Sequence, residues 1–291
     1  MDPLQSAYRA FHSTETALMK VQTDIMTEID SKRVVLLTLL DLSAAFDTVE
    51  HDTLISRLET RFAVSNTALQ WFISYLKGWK SQVNVCGHLS ESITSEFGVP
   101  QGSVMGPLLF TAYIRPISDI AISHGISYHI YADDTQLYIS FNPRIPGDLE
   151  RALSTLSRCI HDIKTWMSSN CLKLNDSKTE FFVAGSPYNL RLLPQIELTI
   201  GTAKIQPVEI VRNLGVMFNS TMTLSSHVNY LRRSVNFQLR NLWRIRQFID
   251  QDSCHHAVRA LITSRLDYCN GLFTTLSAKE LTRLQRLQNN S

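Results

Sequence analysis

Ile126-Ser127-Tyr128-His129-Ile130-Tyr131-Ala132-Asp133-Asp134-Thr135-Gln136-Leu137-Tyr138-Ile139-Ser140-Phe141 sets two short runs rich in Ile, Tyr and Leu around an acidic pair. Aromatic and β-branched residues flanking a two-residue polar step form the pattern of an antiparallel hairpin, which puts Asp133-Asp134 at its tip. Upstream, Val34-Val35-Leu36-Leu37-Thr38-Leu39-Leu40 is an almost uninterrupted apolar run. It is too short to span a bilayer and reads as a strand buried on both faces. Asp41 ends that run, so three carboxylates are expected at strand ends. Hard divalent cations take oxygen ligands and keep phosphate oxygens or waters in their shells, so such carboxylates can hold two ions for phosphoryl transfer. Taken alone, Asp-Asp in a hairpin is an ordinary solvated turn.

Five segments, in order along the chain, resemble those of the reverse transcriptases, most closely the non-LTR (LINE-type) retrotransposon branch. Leu40-Asp41-Leu42-Ser43-Ala44-Ala45-Phe46-Asp47-Thr48-Val49 is similar to motif A. The resemblance makes Asp41 a metal ligand and the Leu42 carbonyl a second contact. It also puts Phe46 at the steric-gate position, where a bulky ring excludes a 2′-hydroxyl and so prefers dNTPs. On residue type alone Phe46 is a core aromatic. Gly98-Val99-Pro100-Gln101-Gly102-Ser103-Val104-Met105-Gly106-Pro107 is similar to motif B, beside the template base and incoming nucleotide. Gln101 and Gly102 are its positioning candidates, glycine permitting close backbone approach; read alone, the segment is a Gly/Pro turn.

Tyr131-Ala132-Asp133-Asp134 matches motif C, with Asp133 a ligand and Asp134 at the margin of the coordination sphere. Asn170-Cys171-Leu172-Lys173-Leu174-Asn175-Asp176-Ser177-Lys178-Thr179-Glu180 resembles motif D, which makes Lys178 the proton donor to the departing pyrophosphate. By residue type Lys178 is a surface lysine. Val211-Arg212-Asn213-Leu214-Gly215-Val216 resembles motif E, the primer grip, whose Asn213, Leu214 and Gly215 would steady the primer end. Ser6 to Ala17 resembles the segment before motif A, with Ala10-Phe11 in place of the usual Pro-Gly after Tyr8-Arg9, which weakens a role for Arg9.

The resemblance implies an α+β fold: a right-hand polymerase palm of antiparallel sheet with helices packed on one side, partial fingers and a helical thumb-like C-terminal region. It implies RNA-directed DNA polymerisation by two Mg²⁺ ions, with Mn²⁺ able to replace them, held by Asp41, Asp133 and Asp134. Its partners would be an RNA template, a DNA primer and dNTPs, in the nucleus and cytoplasm. In complete relatives a basic fingers hairpin lies upstream of Ser6, so the chain is expected to be truncated there and to lack an endonuclease domain. A second reading is therefore an inactive or domesticated fragment that binds nucleic acid or protein without catalysis. A metal-dependent phosphohydrolase would need a water-activating base, and no residue near the carboxylates supplies one.

The composition, 291 residues with 44% hydrophobic and 19% charged, supports a sizeable core in one multi-subdomain unit. No apolar run approaches bilayer length and no signal peptide is present, so an intracellular protein without a membrane partner is expected. Nothing in the chain sets an oligomeric state. Five scattered cysteines suit free thiols in a reducing compartment, and Cys254-His255-His256 lacks the partner spacing of a zinc site.

The net charge of +2 conceals a division. From Ser220 to Ser291, nine Arg and one Lys face three Asp and one Glu, a balance of +6 that leaves −4 for residues 1–219. A boundary near Asn219-Ser220 would separate residues 1–219, partial fingers and palm, from the basic thumb-like residues 220–291. There Val228, Leu231, Val235, Leu239 and Leu242 recur at helical spacing, and Arg233, Arg240 and Arg244 share another face, either contacting the nucleic-acid backbone or simply solvated. Further helices are expected over Ser13 to Asp30, His51 to Phe62, Ser65 to Leu76, Asp148 to Ser168, Ala257 to Leu266 and Ser277 to Leu287. A hairpin is expected from Gln82 to Cys86 and Ser92 to Phe97.

Overall fold

The computed structural model describes residues 2–43, 46–100, 102–175, 177–201 and 203–290. Ser13 opens α1 (Thr14–Asp30) with a capping box: its hydroxyl accepts from the Thr16 N–H, and its own N–H donates to the Thr16 hydroxyl. The apolar run forms β1 (Val34–Leu40), and β2 (Leu42–Ser43) resumes beyond Asp41. The expected helical pair is α2 (His51–Phe62) and α3 (Asn66–Leu76).

The next hairpin differs from its expected arms. Its rungs are four dipeptides, β3 (Lys80–Ser81), β4 (Asn84–Val85), β5 (His88–Leu89) and β6 (Ile93–Thr94), with β3 paired to β6 and β4 to β5. Every residue in them is exposed, so no buried face holds a longer register.

α4 (Met105–Ile114) and α5 (Pro116–Ser123) lead into the decisive hairpin, β7 (Ser127–Tyr131) and β8 (Asp134–Phe141). α6 (Asp148–Ser168) has the expected bounds and is followed by β9 (Lys173–Leu174), β10 (Glu180–Ala184) and α7 (Pro187–Arg191). Two hairpins come next, β11 (Leu198–Ile200) with β12 (Ala203–Ile205) and β13 (Ile210–Asn213) with β14 (Val216–Asn219). The C-terminal helices are α8 (Ser225–Ile245), α9 (Gln251–Val258), α10 (Ser264–Asp267) and α11 (Ala278–Asn289). The helix expected from Ala257 begins earlier, because Asp250 caps α9, and a π turn (Arg259–Thr263) carries it into α10.

β1 lies between β10 and β8 in an antiparallel sheet of order β10-β1-β8-β7. Val34, Leu36, Leu137, Phe141, Phe181 and Val183 face one way, into a cluster with Leu109, Phe110, Ile117, Leu156 and Ile160 of α4, α5 and α6. Val35, Leu37, Tyr138, Phe182 and Ala184 face the other way, into a cluster with α1, the β13–β14 hairpin and α8. The sheet is thus covered on both faces, not on one side, because a strand apolar at nearly every position must bury both. Each fully buried Leu, Ile or Phe contributes about 1.5–3 kcal/mol, which makes the strand ends fixed points for a site. Among the described residues, no helix is long and apolar enough to cross a membrane.

Candidate active site

The register brings the carboxylates to one end of the sheet. Leu40 pairs with Thr135, so Asp41 emerges beside the start of β8, and Tyr131 pairs with Asp134. The turn residues are therefore Ala132 and Asp133, which corrects the expected tip: Asp134 is already the first residue of β8. Ala132 takes φ 56°, a left-handed conformation that costs a residue with Cβ about 1–2 kcal/mol.

Burial raises the Asp133 carboxyl above the usual carboxylate range, with Asp41 adding repulsion. Desolvation, Asp133 and Asp41 push Asp134 up to about 6, although its side chain still faces water. A raised carboxyl pKa stabilises the fold fully below the unfolded value near 4, and that contribution is lost as pH rises through about 6. Asp134→Asn is accordingly expected to melt about 2 °C above the parent protein at pH 8 in metal-free buffer, with the gain vanishing towards pH 4. This corresponds to about 1 kcal/mol after discounting for solvent screening. A gain independent of pH in thermal melts would refute the repulsion.

The Asn175 N–H donates to the Asp41 carbonyl at 2.9 Å, and the turn that follows brings Lys178 Nζ to 3.4 Å from Asp41 Oδ2. That oxygen is buried and has no aligned hydrogen bond, so the lysine supplies charge without satisfying it. Three acceptor-only carboxylates, two of them with raised pKa values and one with an orphaned oxygen, suit a hard divalent cation in chemistry. Yet among the described residues no three such groups converge into a ready-made cage. Leu42 is buried and pairs with Leu174 across β2 and β9.

Phe46 stacks on Phe110 with ring centroids 4.5 Å apart, one side in the core and the remainder half-exposed. The loop from Gly98 is fastened to it: the Val99 N–H donates to the Phe46 carbonyl at 3.0 Å and the Gly98 N–H to that of Val49 at 2.8 Å. Gly98 has φ 89°, and a Cβ there would lie 3.3 Å from the Asp47 carbonyl oxygen, so this approach requires glycine. Gly102 is also left-handed, facing open space, while Gln101 lies outside the described residues. A cleft of about 440 Å³ opens beside this loop, lined by Asp47, His51, Trp79, Phe97 and Pro100.

Leu214 and Gly215, both at positive φ, form the two-residue turn between β13 and β14. Two residues that no motif singles out hold it. The buried Asn213 Nδ2 donates to Gln136 Oε1 of β8 at 2.7 Å, and the Tyr268 hydroxyl donates to the Leu214 carbonyl at 2.7 Å. A pocket of about 290 Å³ between Asp134, Gln136, Arg212 and this turn joins the expected primer-binding residues to Asp134. Tyr8, whose hydroxyl is raised first by burial and then by Asp133, also borders the site. Only long-range contacts reveal Gln136 and Tyr268.

Val228, Leu231, Val235 and Leu242 are buried on α8 and Leu239 is partly so, while Arg233, Arg240 and Arg244 line a separate cleft of about 1090 Å³. Arg232, Arg246 and the exposed Trp243 line it too, and among the described residues none of these five arginines pairs with a carboxylate.

Residues 1–218 match the family model described as reverse transcriptase (RNA-dependent DNA polymerase). A probable RNA-directed DNA polymerase from transposon BS of Drosophila melanogaster is 27% identical over 253 residues, covering 82% of this chain and 26% of the relative. The RNA-directed DNA polymerase from mobile element jockey of Drosophila funebris is 21% identical over 292 residues, covering 98% of this chain and 31% of the relative. The chain thus spans about a quarter to a third of these relatives' length. In fold it is similar to apo telomerase from Candida tropicalis, at TM-score 0.52 and 12% identity, covering 98% of this chain and 50% of that one.

Proposed function

The chain belongs to the reverse transcriptase (RNA-dependent DNA polymerase) family, and from that premise we propose that it is the catalytic core of an RNA-directed DNA polymerase of the non-LTR retrotransposon type. Residues 1–219 would form palm and partial fingers, and residues 220–291 a thumb-like region. The observation that carries this reading is the meeting of Asp41, Asp133 and Asp134 at one sheet end, beside a turn tied to β8 by the Asn213–Gln136 bond. Asp41 and Asp133, with Asp134 at the margin, would hold Mg²⁺ or Mn²⁺. When bound, such ions lower the pKa of an attacking hydroxyl and neutralise charge on a phosphoryl group.

The remaining work falls to the chain. Asn213, Leu214 and Gly215 would hold the primer end, so that its 3′-hydroxyl faces the carboxylates. Phe46 would close the space where a ribose 2′-hydroxyl would sit, with Leu42, Gln101 and Gly102 beside the nucleotide. Lys178 Nζ would give a proton to the leaving pyrophosphate. Positioning and charge stabilisation supply the rate.

The test is extension of a labelled DNA primer on an RNA template with dNTPs and Mg²⁺, with template-primer binding recorded in parallel. Extension supports the reading; binding without extension favours the alternative, a fragment that binds nucleic acid without catalysis. The observation favouring that alternative is that, among the described residues, no three acidic, histidine or cysteine side chains stand as a ready-made metal cage.

The arginine cleft would carry the phosphate backbone. Arg240→Ala with Arg244→Ala is expected to reduce the slope of log affinity against log salt by about 1 per arginine. An unchanged slope in a salt titration would leave those side chains as a solvated face.

A further inference from the structure

Residues 2–7 lie along β7 as an added edge. The Ser6 N–H donates to the Ile130 carbonyl at 3.0 Å, and the Ile130 N–H donates to that of Leu4 at 2.9 Å. The segment is fixed at both ends. The Asp2 carboxylate, 3% exposed, accepts from the Tyr128 hydroxyl and lies 3.2 Å from Arg115, while Ser6 Oγ bonds to His129 Nε2 at 2.9 Å.

Between these anchors the Gln5 side chain, 2% exposed, reaches the carboxylate turn. Its Oε1 accepts from the Ala132 N–H at 3.1 Å and from the Ala7 N–H at 3.0 Å, and its Nε2 donates to the Ala132 carbonyl at 3.2 Å. One primary amide therefore satisfies both backbone groups of the left-handed residue next to Asp133. Its nearest replacements fall short: Asn is a methylene shorter, Glu cannot donate when ionised, and Met has no donor and only a weak acceptor.

We propose that Gln5 is a positioning residue that locks Ala132 in its left-handed conformation and so holds Asp133 and Asp134 aimed for cation binding. This rests on the reading of those carboxylates as metal ligands. The β7–β8 turn has only two residues, and without the amide Ala132 relaxes towards right-handed φ, swinging the Asp133 carboxyl out of line with Asp41. Because a buried peptide must also find a partner, the relaxed turn opens to water.

The experiment is a Mn²⁺ titration followed by the paramagnetic resonance of free Mn²⁺, run beside primer extension, on the parent chain, Gln5→Met, Ser6→Ala and the double variant Gln5→Met with Ala132→Gly. Gln5→Met should weaken Mn²⁺ binding and lower kcat about tenfold each, with the dNTP KM changed less than about twofold. Ser6→Ala, which removes a buried bond of the same segment without touching Ala132, should keep parental Mn²⁺ affinity. The double variant should recover much of the loss, since glycine adopts positive φ without a Cβ clash.

If Gln5→Met does not fold, Gln5→Asn takes its place in the same titration. Parental Mn²⁺ affinity in a folded Gln5 variant, or equal weakening in Ser6→Ala, overturns the proposal. Absence of Mn²⁺ binding in the parent chain rejects the metal-site reading, and the proposal with it.

Discussion

Asp133→Asn is expected to lower single-nucleotide incorporation by at least about a thousandfold, on the order of 4 kcal/mol of transition-state stabilisation, and to leave the fold intact. Asparagine keeps the size of the side chain and one acceptor oxygen but removes the negative charge that a divalent cation requires. Asp133 lies in the turn rather than in a strand ladder, so its carboxylate has little packing to lose. Its raised pKa, due to burial and then to Asp41, means that the charge strains the metal-free protein. Removing it should therefore maintain or raise the melting temperature in chelator, the opposite of a folding defect. Near-parental incorporation by a folded Asp133→Asn chain would displace the site from this turn.

Phe46→Val is expected to reduce discrimination between dNTP and rNTP, measured as the ratio of kcat/KM values, by roughly 100-fold, the range that shape exclusion in a pocket supplies. The Phe46 ring is only partly buried, so it can present an edge to a sugar, while its stacking on Phe110 keeps it from moving aside. Its backbone carbonyl receives the Val99 N–H, and that bond survives the substitution. Loss of the ring from the core should cost about 1–2 kcal/mol of stability, part of a full aromatic deletion. Lower stability with unchanged discrimination would leave Phe46 as a core aromatic and nothing more, the reading its residue type gives without the family.

The physics of short stretches made much of this legible. Strand β1 declares its burial by being apolar at nearly every position, and Ser13 and Ser277 announce helix starts because capping is settled within three residues. His51–Phe62 and Asp148–Ser168 take the bounds their periodicity predicts. The exposed hairpin of residues 80–94 departs from its expected rungs because alternation specifies register only when one face is buried. The tip of the β7–β8 hairpin was displaced by one residue because composition cannot say whether an aspartate closes a turn or opens a strand.

Local patterning supplies the set of parts: the strand ending in Asp41, the hairpin with its acidic pair, the order of five motifs and a basic C-terminal region. Tertiary structure alone decided how they act on one another. Gln5 grips Ala132 across 127 residues, Asn213 grips Gln136 across 77, and Tyr268 grips Leu214 across 54. None of these has a local signature, since a glutamine that completes a left-handed turn looks the same in sequence as one facing water. Local patterns are fixed by hydrogen bonds a few residues apart. These clasps exist only after a sheet covered on both faces has already paid the entropy of bringing its strand ends together.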